Sequence, residues 1–537
     1  MSKIFGLIGH AHDACVAYIE DGDIKIVIEE ERIRKIKSFA LSGVYPWFAL
    51  DTIEREFGYK TEDSDYICIA EVAEPDLDRY KSDEIRRKIV TYPHHLCHAA
   101  GAYYTSGFKE KTLVVTHDGS GFKTVGRVYL GYDNKLHLVH KQLKDKSASI
   151  GQFFGRCTPW FAPEGKVWHS LKDEGKLMGM AGHGKYNEEI YNKLKQTLHY
   201  TNDLSFGPVG NWQKLETLMG NITDSIDDWN SNFEIKAEWA FNVQKLIEDV
   251  FLEYLEDLHK FYPEYKKVAV AGGIFANVKL NQKINELDWV DEVYVYPAMS
   301  DSGLALAAAI MKSVELGEWK NKRFQNMFLG NHYTKDEIKK EEKEWDFQKE
   351  KFNPKKVAQL LDDGNIIGCF QGKMEYGPRA LGARSILVRA TDKEMHETLN
   401  NRLERHEIMP FAPIILGEKI DDICKNTKSK MTAEFMTMCY TVKDEWVDKI
   451  PAVVHRVDNT LRPQLVFKER NKFFHNILNE YDKISKIPVL LNTSFNGHGE
   501  PIIFDLNQAF GHLKKGTVDY LIVEDNLYWS KNEKKAN

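Results

Sequence analysis

The chain has 537 residues, a formal net charge of −7, 42% hydrophobic and 28% charged residues, so it is long enough for several domains of roughly 100–200 residues each. Its acidic balance argues against a globally basic nucleic-acid protein and is compatible with no more than a local basic groove. No apolar run approaches the ~20 residues of a membrane span, the opening MSKIFGLIG is too short for a signal peptide, and seven singly scattered cysteines without a C-x-x-C pair fit reduced thiols in a cytoplasm rather than a structural zinc site.

Residues 3–8, KIFGLI, read as a strand that ends at Gly9-His10-Ala11-His12-Asp13. A second strand, Ala14 to Ile19, meets the hairpin signal Glu20-Asp21-Gly22-Asp23, and a third runs from Ile24 to Ile28. Strand, polar loop, strand, turn, strand is similar to the opening of an actin-like ATPase lobe, in which the first loop faces the nucleotide phosphates or the substrate. His12 and Asp13 are therefore candidates for acid–base work. A loop histidine without a role is the plain alternative.

Tyr92 to Tyr103, YPHHLCHAAGAY, predicts a buried helix that starts after Pro93. His94 and His98 stand at i and i+4 on one face, where two imidazoles can share one metal ion, while His95 points elsewhere. No glutamate follows the first histidine, so this is not a zinc-protease helix. A strand at Thr112–Thr116 closes on His117-Asp118-Gly119-Ser120-Gly121. An acid at a strand end followed by Gly-x-Gly resembles the phosphate loop of actin-like and sugar-kinase folds. The glycines let N–H groups approach phosphates and Asp118 can hold a metal, although D-G-S-G is also a common turn.

Lys176 lies among glycines, which suits a nucleotide site. Ser205 to Asn232 reads as a loop-rich insertion and Phe233 to Phe261 as a long amphipathic helix. A strand at Lys267–Val270 enters Ala271-Gly272-Gly273, with Asn277 and Asn281 beyond on one helical face, the pattern of a phosphate or ribose contact at a helix N-terminus. The next strand, Val293–Tyr296, leads to Asp301-Ser302-Gly303 before a helix of small residues, and Gly303 joins the nucleotide set. His94, His98 and Asp301 make a two-histidine, one-carboxylate set of the kind that holds iron(II) with open positions. The alternative for Asp301 is a helix N-cap.

A short apolar strand, Ile366–Phe370, precedes the stretch on which the second half is centred, Gln371 to Ile386, QGKMEYGPRALGARSI. It combines Lys373, Arg379 and Arg384 with three glycines and Pro378. A rigid turn that aims guanidiniums at one point suits an oxyanion such as phosphate, because arginine bonds bidentately in a fixed plane. A surface turn with solvated arginines is the alternative.

These motifs, in this order, resemble the NodU/CmcH-type O-carbamoyltransferases over nearly the whole chain. Three further segments extend the resemblance. Leu399 to Pro413 is similar to the family's Asn-rich basic segment, with Ile408 where an aromatic is usual. His455-Arg-Val-Asp458-Asn459-Thr460-Leu-Arg462-Pro-Gln464 carries Asn459 for the usual glycine, which Asn tolerates in a left-handed turn. Asn492-Thr-Ser494-Phe-Asn496-Gly-His498 carries histidine where many members have arginine.

The resemblance implies an α/β fold: an actin-like ATPase-type, threonylcarbamoyl transferase-like domain over 1–345 and an α+β YrdC-like domain over 346–537. The charged run Lys335–Lys351 would be the solvated connector between them. Carbamoyl phosphate would bind Lys373, Arg379, Arg384, Arg462, Asn492, Ser494, Asn496 and His498. ATP with Mg2+ would bind Asp118, Gly119, Ser120, Gly121, Lys176, Gly272, Gly273, Asn277, Asn281 and Gly303. Carbamoyl phosphate and ATP would give a carbamoyl adenylate with release of pyrophosphate and phosphate, and an acceptor hydroxyl would then displace AMP. His12, oriented by Asp13, would take the proton, and Fe(II) or another divalent ion would sit at His94, His98 and Asp301, with Asp118 a further metal candidate. A small natural product or sugar is the favoured acceptor; a hydroxymethylated base in DNA is a weaker one, given the net charge. Readings of other classes are an actin-like sugar kinase or ATPase and a metal-stabilised binding module without activity. No membrane partner is expected, and a homodimer is compatible with a chain whose oligomeric state the sequence does not fix.

Overall fold

The computed structural model describes residues 2–8, 13–37, 46–71, 82–209, 212–226, 228–404 and 409–531. β1 (Lys3–Ile8), β2 (Cys15–Glu20) and β3 (Asp23–Glu29) form an antiparallel meander. β4 (Tyr66–Glu71) and β5 (Ile89–Pro93) add in parallel on the other side of β1, which gives the order β3-β2-β1-β4-β5. β6 (Thr112–Gly121), β7 (Thr124–Tyr132) and β8 (Lys135–Leu143) repeat the meander. A short pair, β9 (His199–Tyr200) and β10 (Phe206–Gly207), follows. β11 (Lys267–Ala271) and β12 (Glu292–Val295) then add in parallel beside β6, in the order β8-β7-β6-β11-β12. One topology is thus used twice, as expected for an actin-like ATPase-type fold.

The helices His94–Ser106 and Gly303–Glu315 lie between the two sheets. The first packs on β6, β7 and β11, the second on β1, β2 and β4, and they pack on each other. Both are buried nearly all round, which their small residues allow without an amphipathic pattern. The strands they cover are likewise near-continuous apolar runs rather than alternating ones.

The C-terminal half is α+β. Its strands are β13 (Phe347–Lys351), β14 (Ile367–Phe370), β15 (Arg384–Arg389), β16 (Ala412–Leu416), β17 (Cys424–Lys425), β18 (Tyr440–Val442), β19 (Thr460–Leu461), β20 (Gln464–Val466), β21 (Val489–Ser494), β22 (Tyr520–Val523) and β23 (Asn526–Ser530). Eight of them form a mixed sheet in the order β13-β23-β22-β14-β15-β21-β16-β20, and β17, β18 and β19 form a small separate sheet. This half covers the open edge of β12. The Val293 N–H donates to Ser429 Oγ at 2.8 Å, and Thr432 Oγ1 accepts from the Val295 N–H at 3.2 Å while donating to the Val293 carbonyl at 2.6 Å. An edge that would otherwise pair with another chain is closed by side chains.

Three stretches are more ordered than expected. Ser205–Asn232 contains the helix Trp212–Ser225, because Leu215, Met219 and Ile222 recur at helical spacing and are buried. The charged run from Lys335 is not a bare connector. Thr334 and Glu337 form a capping box, the helix Lys335–Glu342 buries Ile338, and Phe347–Lys351 is the outermost strand of the mixed sheet. β6 runs through the proposed phosphate loop to Gly121, with a register shift between His117 and Gly121. The helix Phe233–Phe261 has the expected bounds. Among the described residues no helix is long and apolar enough to cross a membrane.

Candidate functional site

The helix His94–Ser106 begins directly after β5, so its first turn sits at the C-terminal end of one parallel strand set. Asp118 lies near the end of β6, and Asp301 precedes the helix Gly303–Glu315. These ends converge. His94 Nε2 is 3.1 Å from Asp118 Oδ2 and 3.6 Å from Asp301 Oδ1. His98 Nε2 is 3.4 Å from Asp118 Oδ2, 3.5 Å from Asp301 Oδ1 and 3.1 Å from His94 Nε2. One donor atom from each of the four residues lies within 4.8 Å of all the others.

Two imidazole nitrogens facing each other and two carboxylates form a set that wants a cation. Burial pulls the His98 imidazole down, but Asp118 and Asp301 outweigh it and raise it to about 9. Burial also opposes ionisation of Asp118, yet His94 and His98 hold its carboxyl well below the usual range. Asp301 Oδ1 is buried with no hydrogen-bond partner among the described residues, which is costly unless an ion satisfies it. Two carboxylates with two neutral imidazoles balance a divalent ion, and nitrogen–oxygen sets suit iron, zinc or manganese. The residues therefore fit a metal. The N-cap alternative for Asp301 does not describe this geometry, since its side chain faces the histidines and Ser302 holds the cap position. Neither Nδ1 of the pair has a partner among the described residues. His95 is separate: it bonds Thr116 Oγ1 at 3.1 Å and the Thr124 carbonyl at 3.2 Å, and burial, then His94 and His98, hold it neutral.

Asp118 also ties two loops together. Its Oδ1 accepts from the Gly119 N–H at 2.7 Å and the Gly273 N–H at 3.0 Å. The loops after the neighbouring parallel strands β6 and β11 thus share one carboxylate. Gly272 takes φ +117°, and a Cβ there would meet the His117 carbonyl at 2.1 Å; one on Gly121 would meet His94 Cδ2 at 2.6 Å. Only glycine permits that approach. Gly119 and Ser120 open towards solvent and Gly303 starts its helix.

The other expected nucleotide residues are already engaged. Asn277 caps the helix Val278–Glu286 through the Leu280 N–H at 3.0 Å and exchanges two bonds with Gln244. It is the cap, not a member of the helix face with Asn281. Asn281 donates to the Phe275 and Thr437 carbonyls, both at 2.7 Å, anchoring the C-terminal half. Lys176 pairs with Asp173 at 2.7 Å. His12 lies outside the described residues; Asp13 enters β2 with a left-handed φ of 74°.

In the second half, the stretch 371–384 folds round Glu375, a buried residue that sequence reasoning missed. Its Oε1 accepts from the N–H groups of Leu381, Ala383 and Arg384 at 2.8, 2.6 and 3.1 Å. Arg384 turns inward. Its guanidinium lies 3.6 Å over the Phe370 ring and donates to the carbonyls of Gln371 and Ala383 at 3.1 and 3.0 Å. Burial lowers it to about 10. Arg384 thus braces the loop from inside, and its Nε is buried with no partner among the described residues. Lys373 is exposed and reaches the Lys25 carbonyl on β3 at 3.2 Å.

Arg379 and Arg462 do come together. Asn492 donates to the Ala380 carbonyl at 3.1 Å and to Gln464 Oε1 at 2.9 Å, and Gln464 donates to the Leu381 carbonyl at 2.7 Å. Two buried amides thus join three motifs that are far apart in sequence. Burial and then Arg462 lower Arg379 to about 9, and its Nε is buried with no partner among the described residues. Asn459 takes the left-handed φ of 51° expected of it. Ser494 is half-buried next to this network and Asn496 donates to the Gly497 and Glu500 carbonyls, while His498 is exposed. Arg405 and Ile408 lie outside the described residues.

The two regions touch. Tyr376 packs its buried hydroxyl on the Ser302 carbonyl, and the Gly377 carbonyl accepts from Arg32 at 2.8 Å while its N–H donates to Glu29 at 3.3 Å.

A family model described as the carbamoyltransferase N-terminus matches residues 66–310, and one described as the carbamoyltransferase C-terminus matches residues 358–530. An uncharacterized protein of Methanocaldococcus jannaschii is 32% identical, with 91% of this chain and 82% of that protein covered. Nodulation protein NolNO of Sinorhizobium fredii is 27% identical, with 96% and 78% covered. Among solved structures, full-length HypF in a phosphate- and nucleotide-bound form is 12% identical at a TM-score of 0.39, covering 60% of this chain and 57% of that protein.

Proposed function

The chain belongs to the carbamoyltransferase family, and from that premise we propose that it forms a carbamoyl adenylate from carbamoyl phosphate and ATP and passes the carbamoyl group to the hydroxyl of a small acceptor. The observation that carries this reading is the convergence of Arg379 and Arg462. A guanidinium that burial and a second guanidinium depress, with a buried Nε lacking a partner among the described residues, marks a site for a multiply charged anion. A sugar kinase needs no such second anion site.

Residues 1–345 would serve as the nucleotide- and metal-binding unit and 346–537, YrdC-like in role, as the carbamoyl phosphate unit. Arg379 and Arg462 bind and orient the phosphate of the donor. The loop carrying Asp118, Gly119, Ser120 and Gly121, next to Gly272 and Gly273, would face the nucleotide phosphates, its shape held by Asp118, which takes the Gly119 and Gly273 N–H groups. His94, His98, Asp118 and Asp301 would hold a divalent ion, with iron(II) favoured, and when bound it would supply Lewis-acid polarisation of a carbonyl or phosphate oxygen. His12, oriented by Asp13, would accept the proton of the acceptor hydroxyl. Replacing His12 by Asn should stop carbamoylation of the acceptor and leave adenylate formation intact; loss of both steps would remove this role. The assay for the whole reading is carbamoyl phosphate-dependent pyrophosphate release from ATP, with the adenylate identified by mass.

A further inference from the structure

Next to Arg379 and Arg462 stands a three-residue chain that crosses from one half of the protein to the other. Lys279, on the helix Val278–Glu286 of the N-terminal half, donates to Asp458 Oδ2 at 2.9 Å. Asp458 Oδ1 accepts from the Thr460 N–H at 3.1 Å and Thr460 Oγ1 at 2.7 Å, and lies 3.1 Å from His455 Nδ1. The carboxylate is held from both oxygens, by Lys279 on Oδ2 and by Thr460 on Oδ1, and the imidazole stands beside it. Although burial opposes it, His455 and Lys279 hold the Asp458 carboxyl well below the usual range. A carboxylate 3.1 Å from Nδ1 favours the proton on that nitrogen and leaves Nε2 as the acceptor, although Nδ1 itself makes no aligned hydrogen bond among the described residues.

That nitrogen has nothing to bond. His455 is 9% exposed, and its Nε2 is buried with no hydrogen-bond partner among the described residues. The backbone turn after the helix Glu174–Ala181 closes over it: a Cβ on Gly182 would meet the ring at 2.5 Å, and the His183 ring packs at 4.9 Å. The charged neighbours of the buried Cys439 thiol are Lys279, Arg462, Asp458 and Arg379, so the chain and the two guanidiniums surround the same spot.

The reaction proposed above needs such a group. Releasing both pyrophosphate and phosphate while forming a carbamoyl adenylate consumes one water. The water oxygen bonds to the carbonyl carbon of carbamoyl phosphate, and the carbon–oxygen bond to phosphorus breaks with its electron pair going to phosphate. One water proton goes to a base and the other to the departing phosphate. The carbamate so formed then displaces pyrophosphate from the α-phosphorus of ATP.

Resting on that reading, we infer that His455 Nε2 is the base that activates this water, with Asp458 and Lys279 as its positioning residues. The anion site is then completed by the N-terminal half through Lys279, and the first chemical step requires both halves in register.

The test uses the full-length protein. His455→Asn is expected to lower phosphate release from carbamoyl phosphate by about 100-fold or more with KM for carbamoyl phosphate little changed, the range of a lost general base. Carbamate supplied directly with ATP bypasses the step, so His455→Asn should then release pyrophosphate at the wild-type rate. Lys279→Met should show a smaller loss in the same step, and Lys279→Arg should restore it. Phosphate release by His455→Asn at the wild-type rate overturns the role. So does equal loss of the carbamate-driven and carbamoyl phosphate-driven reactions, which marks a binding or structural residue. If the wild-type protein releases no phosphate from carbamoyl phosphate but uses carbamate and ATP, the donor assignment fails and the role of His455 falls with it.

Discussion

Tyr376 donates its buried hydroxyl to the Ser302 carbonyl at 2.7 Å, so the anion loop of the C-terminal half rests on the residue that follows Asp301. Tyr376→Phe removes that bond and the hydroxyl's contact with Tyr296. Groups that orient metal ligands are typically worth about 10–100-fold in metal affinity, so a fall of about ten-fold is expected on competitive titration with a chromophoric chelator. Unchanged affinity would reduce the contact to packing.

Asp301→Asn and His98→Ala each remove one arm of the metal set. The purified wild-type protein is expected to carry about one divalent ion per chain and either variant far less, read by elemental analysis. Adding the ion to stripped wild-type protein should raise its Tm, by linkage about 2.7 kcal/mol at a hundred-fold excess over Kd. Neither variant should show that rise. Equal metal content in all three proteins contradicts the site.

Arg379 is a cation that burial and Arg462 both disfavour, and a guanidinium keeps its charge across the accessible pH range. Arg379→Met should therefore be no less stable than the wild type near pH 7 in urea unfolding. Inorganic phosphate should raise the Tm of the wild type and not that of Arg379→Met.

Glu375→Ala leaves three loop N–H groups without their common acceptor. Hydrogen bonds to an ionised group are worth about 1.5–3 kcal/mol each and are not additive. A loss of about 3 kcal/mol or more is expected in denaturant unfolding, with weaker carbamoyl phosphate binding in whatever fraction stays folded. A loss below about 1 kcal/mol would mean that the loop is held by Tyr376, Arg32 and Glu29 alone.

The strands and the histidine helix were legible because apolar runs and i, i+4 spacing are local signals. The shared metal face of His94 and His98 follows from that spacing. Asp118 read locally as part of a phosphate loop, and its second role as the tie between two loops depends on β6 and β11 being neighbours, which no local pattern encodes. Arg384 was read as a ligand because its residue type fits; β15 turns it to the buried face above Phe370. Asn277 carried the simpler signal of a helix cap, and the cap is what it forms. Lys279 and Asp458 are 179 residues apart, so their pairing needed the fold.

The most direct measurement is pyrophosphate release from ATP with carbamoyl phosphate, with and without a pool of hydroxylated acceptors, followed by mass detection of the products. The expected result is release that requires carbamoyl phosphate, yields a carbamoyl adenylate and disappears in Arg379→Ala. Absence of carbamoyl phosphate-dependent release under every acceptor, or phosphate appearing on the acceptor in place of a carbamoyl group, would contradict it.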